Sequence, residues 1–145
     1  MKKYYMNWEE YDKCLDEMAE WVLDNFYNMN LQQLEVGAIN GVPRGGLPIA
    51  VSLSHRLGIP IILDYEQQYP PTGVLLVVDD IADTGHTLKD FDKEKNNVIC
   101  TLHYNKKSIT TPHFFCIDNN DKWIVYPWER KDSETIADYL KQEEV

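Results

Sequence analysis

The sequence has 145 residues, of which 43% are hydrophobic and 26% are charged. This length and balance are typical of one globular domain with a hydrophobic core, so we expect a single domain over residues 1–145. Aspartate and glutamate outnumber lysine and arginine by 24 to 14, giving a formal net charge of -10, and the acidic residues are spread over the whole chain. Such a surface repels polyanions, which argues against nucleic acid as a partner.

The N-terminus and the cysteines indicate the cellular compartment in which we expect the protein. Residues 1–7 contain no apolar run of the secretory-leader type, and no stretch approaches the roughly 20 apolar residues that cross a bilayer. Cys14, Cys100 and Cys116 are odd in number and lack C-x-x-C spacing, which favours buried free thiols in a reducing compartment. We therefore expect a soluble cytoplasmic protein without a membrane partner.

Helical periodicity begins near the N-terminus. Asn7 followed by Glu10 is a capping-box pattern, and apolar residues then recur at helical spacing, so an amphipathic helix is predicted to run to about residue 25. Further helices are predicted over 47–57, closed by Gly58, and over 84–95 and 133–144.

Short apolar runs bounded by Gly, Pro, Asn or Asp are typical of strands. The sequence contains six of them, at 35–39, 59–63, 74–78, 98–102, 114–117 and 123–126. Strands and helices alternate through the middle of the chain, which favours a parallel sheet with helices on its faces. The predicted fold class is therefore α/β, with a central, mostly parallel sheet flanked by helices.

The most informative stretch covers residues 74–87. An apolar run leads into Asp79 and Asp80, and Asp-Thr-Gly-His-Thr follows at 83–87, where a helix can begin. Ligands of open parallel sheets bind at the carboxyl ends of the strands. Adjacent carboxylates there can hold a vicinal diol and water-bound magnesium, while Gly85 lets backbone N–H groups approach a phosphate that threonine hydroxyls also bind. The pattern predicts a site for a sugar phosphate and Mg²⁺.

This stretch resembles the signature of type I phosphoribosyltransferases that binds 5-phosphoribosyl-1-pyrophosphate (PRPP), with the Asp-Asp pair and the Asp-Thr-Gly-x-Thr loop both intact. The resemblance covers roughly residues 35–130. It implies the single-domain fold of that family, Mg²⁺ as cofactor, and PRPP and a nucleobase as small-molecule substrates. The residues that it assigns to PRPP are Asp79, Asp80, Asp83, Thr84, Gly85, His86 and Thr87.

Two other interpretations fit parts of the acidic stretch. An aspartate-rich turn that caps a helix would explain Asp83 but leaves Asp79 and Asp80 without a capping role. Residues 79–83 also match the D-D-x-x-D magnesium motif of isoprenoid diphosphate synthases, which lies on a long helix. The mostly β-branched run at 74–78 favours a buried strand instead.

A second Gly-rich turn, at 39–47, lies one strand-helix-strand unit before the acidic stretch. Its backbone N–H groups and its arginine could bind an anion, although glycines also make ordinary tight turns. In the family that the signature resembles, a loop at this place cradles pyrophosphate, and the peptide bond before its arginine, here Pro43–Arg44, is often cis. The resemblance therefore assigns pyrophosphate to Arg44, Gly45 and Gly46.

The segment 121–129 is similar to the base-binding segment of xanthine-guanine and hypoxanthine-guanine phosphoribosyltransferases. That similarity implies that Trp123 stacks on a purine and that the Ile124 backbone meets the substituent at its second position. The metal ligands that it implies are Asp79, Asp80 and Glu129. The alternative is an ordinary aromatic core cluster beside an edge strand, formed by Trp123, Tyr126 and Trp128.

The resemblance implies that Asp83 is the general base, because in the purine enzymes that this chain resembles the corresponding aspartate faces the base nitrogen that loses its proton. Those enzymes usually place a lysine after the next strand to donate to the 6-oxo group. Asn105 aligns at that position, and a one-residue shift would bring Lys106 there. An amide can donate to an oxo group or accept from an amino group, so the base stays open among guanine, xanthine, hypoxanthine and adenine. We expect a 6-oxopurine, with orotate or uracil as the alternative.

The segment 64–73 stands where the family carries a longer mobile flap that closes over the substrates. Because this segment is short, a second class of function stays open, in which the chain is a regulatory protein that binds PRPP or a nucleotide without turnover. The four histidines show no metal-ligand spacing, and none is expected to be catalytic. Small members of the family often pair, so a homodimer or a higher homo-oligomer is expected.

Overall fold

The computed structural model describes residues 2–28, 35–63 and 73–132. The helices are α1 (Trp8–Leu23), α2 (Gly46–Leu57) and the short α3 (Lys89–Asp92), and a π-helical turn covers Asp24–Asn28. The strands are β1 (Lys3–Tyr5), β2 (Val36–Gly41), β3 (Ile61–Ile62), β4 (Val74–Ala82), β5 (Asn97–Tyr104), β6 (Phe114–Asp118) and β7 (Trp123–Val125). No helix within these described ranges is long and apolar enough to cross a bilayer.

Five strands form one parallel sheet in the order β3-β2-β4-β5-β6. The chain leaves β2 toward the β3 edge and returns to β4 on the other side of β2. A topological switch point therefore lies between the carboxyl ends of β2 and β4, where open α/β sheets bind ligands. The predicted α/β class with a parallel sheet is confirmed.

A separate pair of parallel strands is formed by β1 and β7, with Tyr4 opposite Ile124. All six predicted strands exist, and β1 is an addition that the sequence did not reveal. Its three residues, Lys-Tyr-Tyr, are all exposed and form no apolar run of strand length. The pairing ties the N-terminus to the end of the described chain, since the Trp123 N–H donates to the Lys2 carbonyl at 2.9 Å.

The core lies on both faces of the sheet. On one face α1 and α2 pack against each other and against the strands, and Leu15, Met18 and Leu53 are fully buried there. Leu88 and Phe91, which follow β4, pack on the opposite face. Each fully buried side chain of this kind contributes about 1.5–3 kcal/mol. The sheet edge that carries the candidate site is thus held by packed layers on both faces.

The start of α1 and the end of α2 are formed as predicted. The Asn7 side chain accepts a hydrogen bond from the Glu10 N–H at 2.8 Å, and the Glu10 carboxylate accepts one from the Asn7 N–H at 3.3 Å. This reciprocal arrangement is a capping box. At the end of α2, Gly58 takes a left-handed conformation with φ 69°.

The helix predicted over 84–95 is wrong in extent, because only Lys89–Asp92 is α-helical. The preceding residues form turns that are held from outside: the Thr84 carbonyl accepts from the Ile109 N–H at 2.8 Å, and the Gly85 carbonyl accepts from the Thr110 hydroxyl at 2.8 Å as well as from the Lys89 N–H at 3.1 Å. Tertiary contacts therefore override the helical periodicity here. The predicted helix at 133–144 and the flap residues 64–72 lie outside the described residues.

The expectation of three free thiols is wrong for two of them. Cys14 of α1 and Cys116 of β6 form a disulfide that closes 102 residues of chain, while Cys100 is a free, buried cysteine. Burial raises the pKa of the Cys100 thiol well above its ordinary value. The pairing could not be inferred from cysteine spacing, because it depends on how α1 packs beside β6.

Candidate functional site

Asp79 and Asp80 lie within β4, which continues to Ala82. Asp79 is buried and Asp80 is half-buried. The Asp79 carboxylate accepts a hydrogen bond from the Asp80 N–H at 2.9 Å, and that of Asp80 accepts one from the Ile81 N–H at 2.8 Å. Because these aspartates belong to a strand of a parallel sheet, the interpretation as a helical diphosphate-synthase motif is wrong.

The turn after β2 packs directly on this strand. A Cβ atom added to Gly45 would overlap the Asp80 carboxylate, and one added to Gly46 would overlap the Val78 carbonyl. Only glycine therefore lets the turn lie so close to β4. The Pro43–Arg44 peptide bond is cis, as the resemblance implied, and the arginine side chain is exposed.

The loop after β4 is fixed by the turn after β5. Gly85 has φ 86°, a left-handed conformation that favours glycine, and an added Cβ atom would lie 2.5 Å from the Ser108 hydroxyl and from the Thr110 N–H. Thr110 is itself buried. Within the loop, the His86 N–H donates to the Thr84 hydroxyl at 3.4 Å. The backbone of the Asp-Thr-Gly-His-Thr segment is therefore shaped by residues 105–110.

Asp83 and Asn105 meet at the adjacent ends of β4 and β5. The Asn105 side-chain Nδ2 donates to the Asp83 carboxylate at 2.9 Å, and its Oδ1 accepts from the Lys107 N–H at 3.0 Å. Lys106 instead forms an exposed ion pair with Asp118 at 3.5 Å. Of the two residues considered for the base contact, the structure thus brings Asn105 to Asp83 and directs Lys106 elsewhere.

Tyr126 joins the segment after β7 to the acidic strand, a role that the sequence analysis did not foresee. Its hydroxyl donates to the Asp80 carbonyl at 3.1 Å and lies 2.9 Å from Nδ1 of His103. Its N–H donates to the Glu129 carboxylate at 2.8 Å. An aromatic residue beside a predicted base-binding tryptophan was the available signal, but its partner Asp80 is 46 positions away.

The three aromatic residues of this segment have different surroundings. Trp128 stacks on Tyr126 with ring centroids 5.0 Å apart, and it meets Tyr11 edge-on at 5.5 Å. These two therefore belong to a core cluster, as the alternative interpretation had it. Trp123 lies in β7 and is half-buried, and its Nε1 atom is buried without a hydrogen-bond partner among the described residues.

Several negative charges converge around Tyr126. Burial, followed by the charges of nearby carboxylates, raises its pKa well above the ordinary value. The contributing carboxylates are, in decreasing order of effect, those of Asp80, Asp79, Glu129 and Asp83. The candidate ribose, metal and general-base residues are therefore all near enough to Tyr126 for their charges to affect its pKa.

The arrangement of the acidic residues decides how a metal ion could bind. In residues 2–28, 35–63 and 73–132 no group of three or more His, Cys, Asp or Glu side chains could hold a metal ion together. Magnesium is commonly bound by one or two carboxylates together with waters and substrate phosphates. Asp79 and Asp80, as adjacent carboxylates near the carboxyl end of β4, fit that shared mode of binding.

Comparisons with known proteins show which enzymes this chain is similar to. No protein-family model matches the sequence. The xanthine-guanine phosphoribosyltransferase of Idiomarina loihiensis is 26% identical over an alignment that covers 88% of each chain. Among solved structures, the purine phosphoribosyltransferase from Pyrococcus horikoshii is 28% identical, with a TM-score of 0.72, over 94% of this chain and 100% of that one. The Helicobacter pylori xanthine-guanine-hypoxanthine phosphoribosyltransferase shares the fold, with a TM-score of 0.67 at 18% identity over 99% of each chain.

The similarity spans 88% of this chain for the curated relative and 94% for the Pyrococcus horikoshii structure. It involves both the sequence and the arrangement of the strands. In both sequence and fold, the chain is therefore similar to enzymes of the type I phosphoribosyltransferase family.

Proposed function

We propose that this protein is a purine phosphoribosyltransferase of purine salvage, which transfers the phosphoribosyl group of PRPP to guanine, xanthine or hypoxanthine and releases pyrophosphate. The observation that carries the proposal is the close approach of two loops at the switch point. There the glycine turn after β2 lies against Asp80 of the acidic strand, with no room for a side chain at Gly45. A sugar with anions on both sides fits such a junction.

The activated sugar would lie across the end of β4. Asp79 and Asp80 would hold the ribose hydroxyls, and the loop 84–87 would bind the 5′-phosphate through backbone N–H groups and the Thr84 and Thr87 hydroxyls. The contacts from residues 105–110 support this role, because they fix the loop backbone before any ligand arrives. A preformed phosphate site loses less entropy on binding than a mobile one.

The leaving group would lie at the turn after β2. As the bond from the anomeric carbon to pyrophosphate breaks, its electron pair stays on the pyrophosphate oxygen. The Arg44 guanidinium and the N–H groups of Gly45 and Gly46 would take up that charge. Bound Mg²⁺, held by Asp79 and Asp80 with Glu129 nearby, would neutralise further pyrophosphate charge. The sugar passes through a state resembling an oxocarbenium ion, so positioning and electrostatics supply most of the acceleration.

The base would enter between β7 and the loop after β4. Trp123 would stack on the purine, and the Ile124 backbone would meet its second-position substituent. As the ring nitrogen forms its bond to the sugar, Asp83 would take the proton from the imidazole ring. The exposed position of the Asp83 carboxylate at the end of β4 supports this role, because a base can reach it.

The direct test is release of pyrophosphate from PRPP and Mg²⁺ in the presence of each base separately. We expect turnover with guanine, xanthine or hypoxanthine, and far less with adenine, orotate or uracil. Binding of PRPP without pyrophosphate release from any base would instead indicate a regulatory protein. Turnover restricted to orotate or uracil would identify a pyrimidine enzyme.

A substitution tests the proposed base contact. Stacking of a base on an aromatic ring is worth roughly 1–3 kcal/mol, so Trp123→Ala is expected to raise KM for the base by about 5- to 150-fold. The matched control is Trp8→Ala, which removes an exposed tryptophan from α1 and should leave that KM unchanged. An unaltered KM in the Trp123 variant would rule out the stacking role.

A further inference from the structure

The orientation of the Asn105 side-chain amide is settled by its two partners. Its Oδ1 accepts from the Lys107 N–H at 3.0 Å, and its Nδ2 donates to the Asp83 carboxylate at 2.9 Å. A flipped amide would place its oxygen against the carboxylate and its nitrogen against the N–H group, losing both hydrogen bonds. The side of Asn105 that faces Asp83 is therefore a hydrogen-bond donor.

The backbone of Asn105 is also anchored. Its N–H donates to the Ala82 carbonyl at 2.9 Å, and its carbonyl accepts from the Ser108 N–H at 2.8 Å. Among the hydrogen bonds of the described residues, the one from Asn105 is the single bond that the exposed Asp83 carboxylate accepts. Asn105 is thus a rigid support that restrains an otherwise freely rotating carboxylate.

The chemistry of the proposed reaction defines which edge of the base meets this pair. If N9 of a purine attacks the sugar with its lone pair, the imidazole proton resides on N7, and a general base must remove it from there. N7 and the substituent at position 6 lie on the same edge of the purine. A base whose N7 proton points at Asp83 therefore presents its position 6 substituent beside Asp83, on the side where a neighbouring group can contact it.

We propose that Asn105 is a positioning residue, which holds the Asp83 carboxylate toward N7 and presents an amide N–H that donates to a 6-oxo group and disfavours a 6-amino group. The inference rests on the proposed function, in which Asp83 takes the proton. It names Asn105, and not Lys106, as the residue that contacts the position 6 substituent, and it assigns the Asn105 amide as a donor to that substituent. A 6-amino group would meet the Asn105 N–H donor with another donor.

Three variants test the proposal by kinetics. In Asn105→Asp, a carboxylate oxygen still accepts from the Lys107 N–H, but a second carboxylate then lies beside Asp83. We expect kcat with hypoxanthine to fall about 100-fold and KM for PRPP to change little. Asn105→Lys restores a donor and should recover most of kcat and the preference for hypoxanthine over adenine. Asn96→Asp makes the same chemical change on an exposed residue at the other end of β5 and should alter neither quantity. Unchanged kcat and base preference in Asn105→Asp would overturn the proposal.

A second measurement does not need turnover. In the wild-type protein the Asn105 side-chain amide should show one proton that exchanges slowly with solvent in nuclear magnetic resonance spectra, and Asp83→Ala should abolish that protection. If no base gives pyrophosphate, the proposed function fails, and this measurement alone decides whether Asn105 holds Asp83. Asn105 amide protons that do not respond to Asp83→Ala would overturn the positioning role.

Discussion

The Tyr126 hydroxyl donates a hydrogen bond to the main-chain carbonyl of Asp80 at 3.1 Å. Because this hydroxyl has one proton, it accepts from the nearby Nδ1 of His103, which assigns the proton of the histidine ring to that nitrogen. Tyr126 is thus the link between the segment proposed to bind the base and the strand proposed to bind the sugar.

Tyr126→Phe should weaken both stability and PRPP binding. The change leaves the Asp80 carbonyl and the His103 N–H without their partner in a buried place, which costs about 1–3 kcal/mol in the free energy of unfolding. Because Asp80 is then less firmly held, KM for PRPP should rise several-fold. Urea denaturation measures the first quantity and pyrophosphate-release kinetics the second.

Tyr11→Phe is the matched control for that variant. The Tyr11 hydroxyl bonds to the Pro48 carbonyl at 3.1 Å and to the Ser52 hydroxyl at 2.7 Å, joining α1 to α2 without touching the acidic strand. It should lower stability by a similar amount and leave KM for PRPP unchanged. Equal effects of the two variants on PRPP binding would contradict the role assigned to Tyr126.

Gly45→Ala should impair PRPP binding more than it impairs folding. The new methyl group would overlap the Asp80 carboxylate, so either the turn or the carboxylate must move out of its position. We expect at least a tenfold rise in KM for PRPP, measured by pyrophosphate release with saturating base. Gly58→Ala is the control, because its φ of 69° strains alanine by about 1 kcal/mol while the added atom meets nothing within 4 Å. A Gly45 variant with the kinetics of the Gly58 variant would count against the loop contact.

The features that sequence could predict are those decided by neighbouring residues. An apolar run of strand length predicted a strand at 74–78 with Asp79 and Asp80 at its end, because burial and side-chain branching act locally, whereas β4 continues through both aspartates to Ala82. The Asn7 capping box was predictable for the same reason. By contrast, the contact of Asp83 with Asn105 joins residues 22 positions apart and depends on the pairing of β4 with β5. The same holds for the turns at 83–88, where hydrogen bonds from residues 109 and 110 hold the backbone in place of the first turn of the predicted helix.

The disulfide between Cys14 and Cys116 predicts a definite thiol count. Unfolded, unreduced protein should react with one equivalent of a thiol reagent, from Cys100, and reduced protein with three. Opening a loop of about 100 residues removes up to about 5 kcal/mol of stabilisation in the chain-entropy model, so reduction should lower the urea midpoint. Cys116→Ser should match the reduced wild type, and reduction should not change it further. Three reactive thiols without reduction would show that the pair is open in solution.

His103 predicts how stability depends on pH. Burial, partly offset by the charge of Glu10, lowers its pKa from 6.5 to about 4, so the ring is neutral in the folded protein near pH 7. Between these two values the unfolded chain binds a proton that the folded protein does not, so stability falls as pH decreases from about 6.5 and the loss is complete near pH 4. The pKa difference corresponds to a loss of about 3 kcal/mol. His103→Gln should therefore reduce the loss of unfolding free energy between pH 7 and 4 by about that amount, as measured by urea denaturation. The control His55→Gln, at an exposed position of α2, should follow the wild type. Because other acidic groups titrate in the same range, the difference between these two variants is the deciding quantity, and parallel curves would contradict a neutral, buried His103.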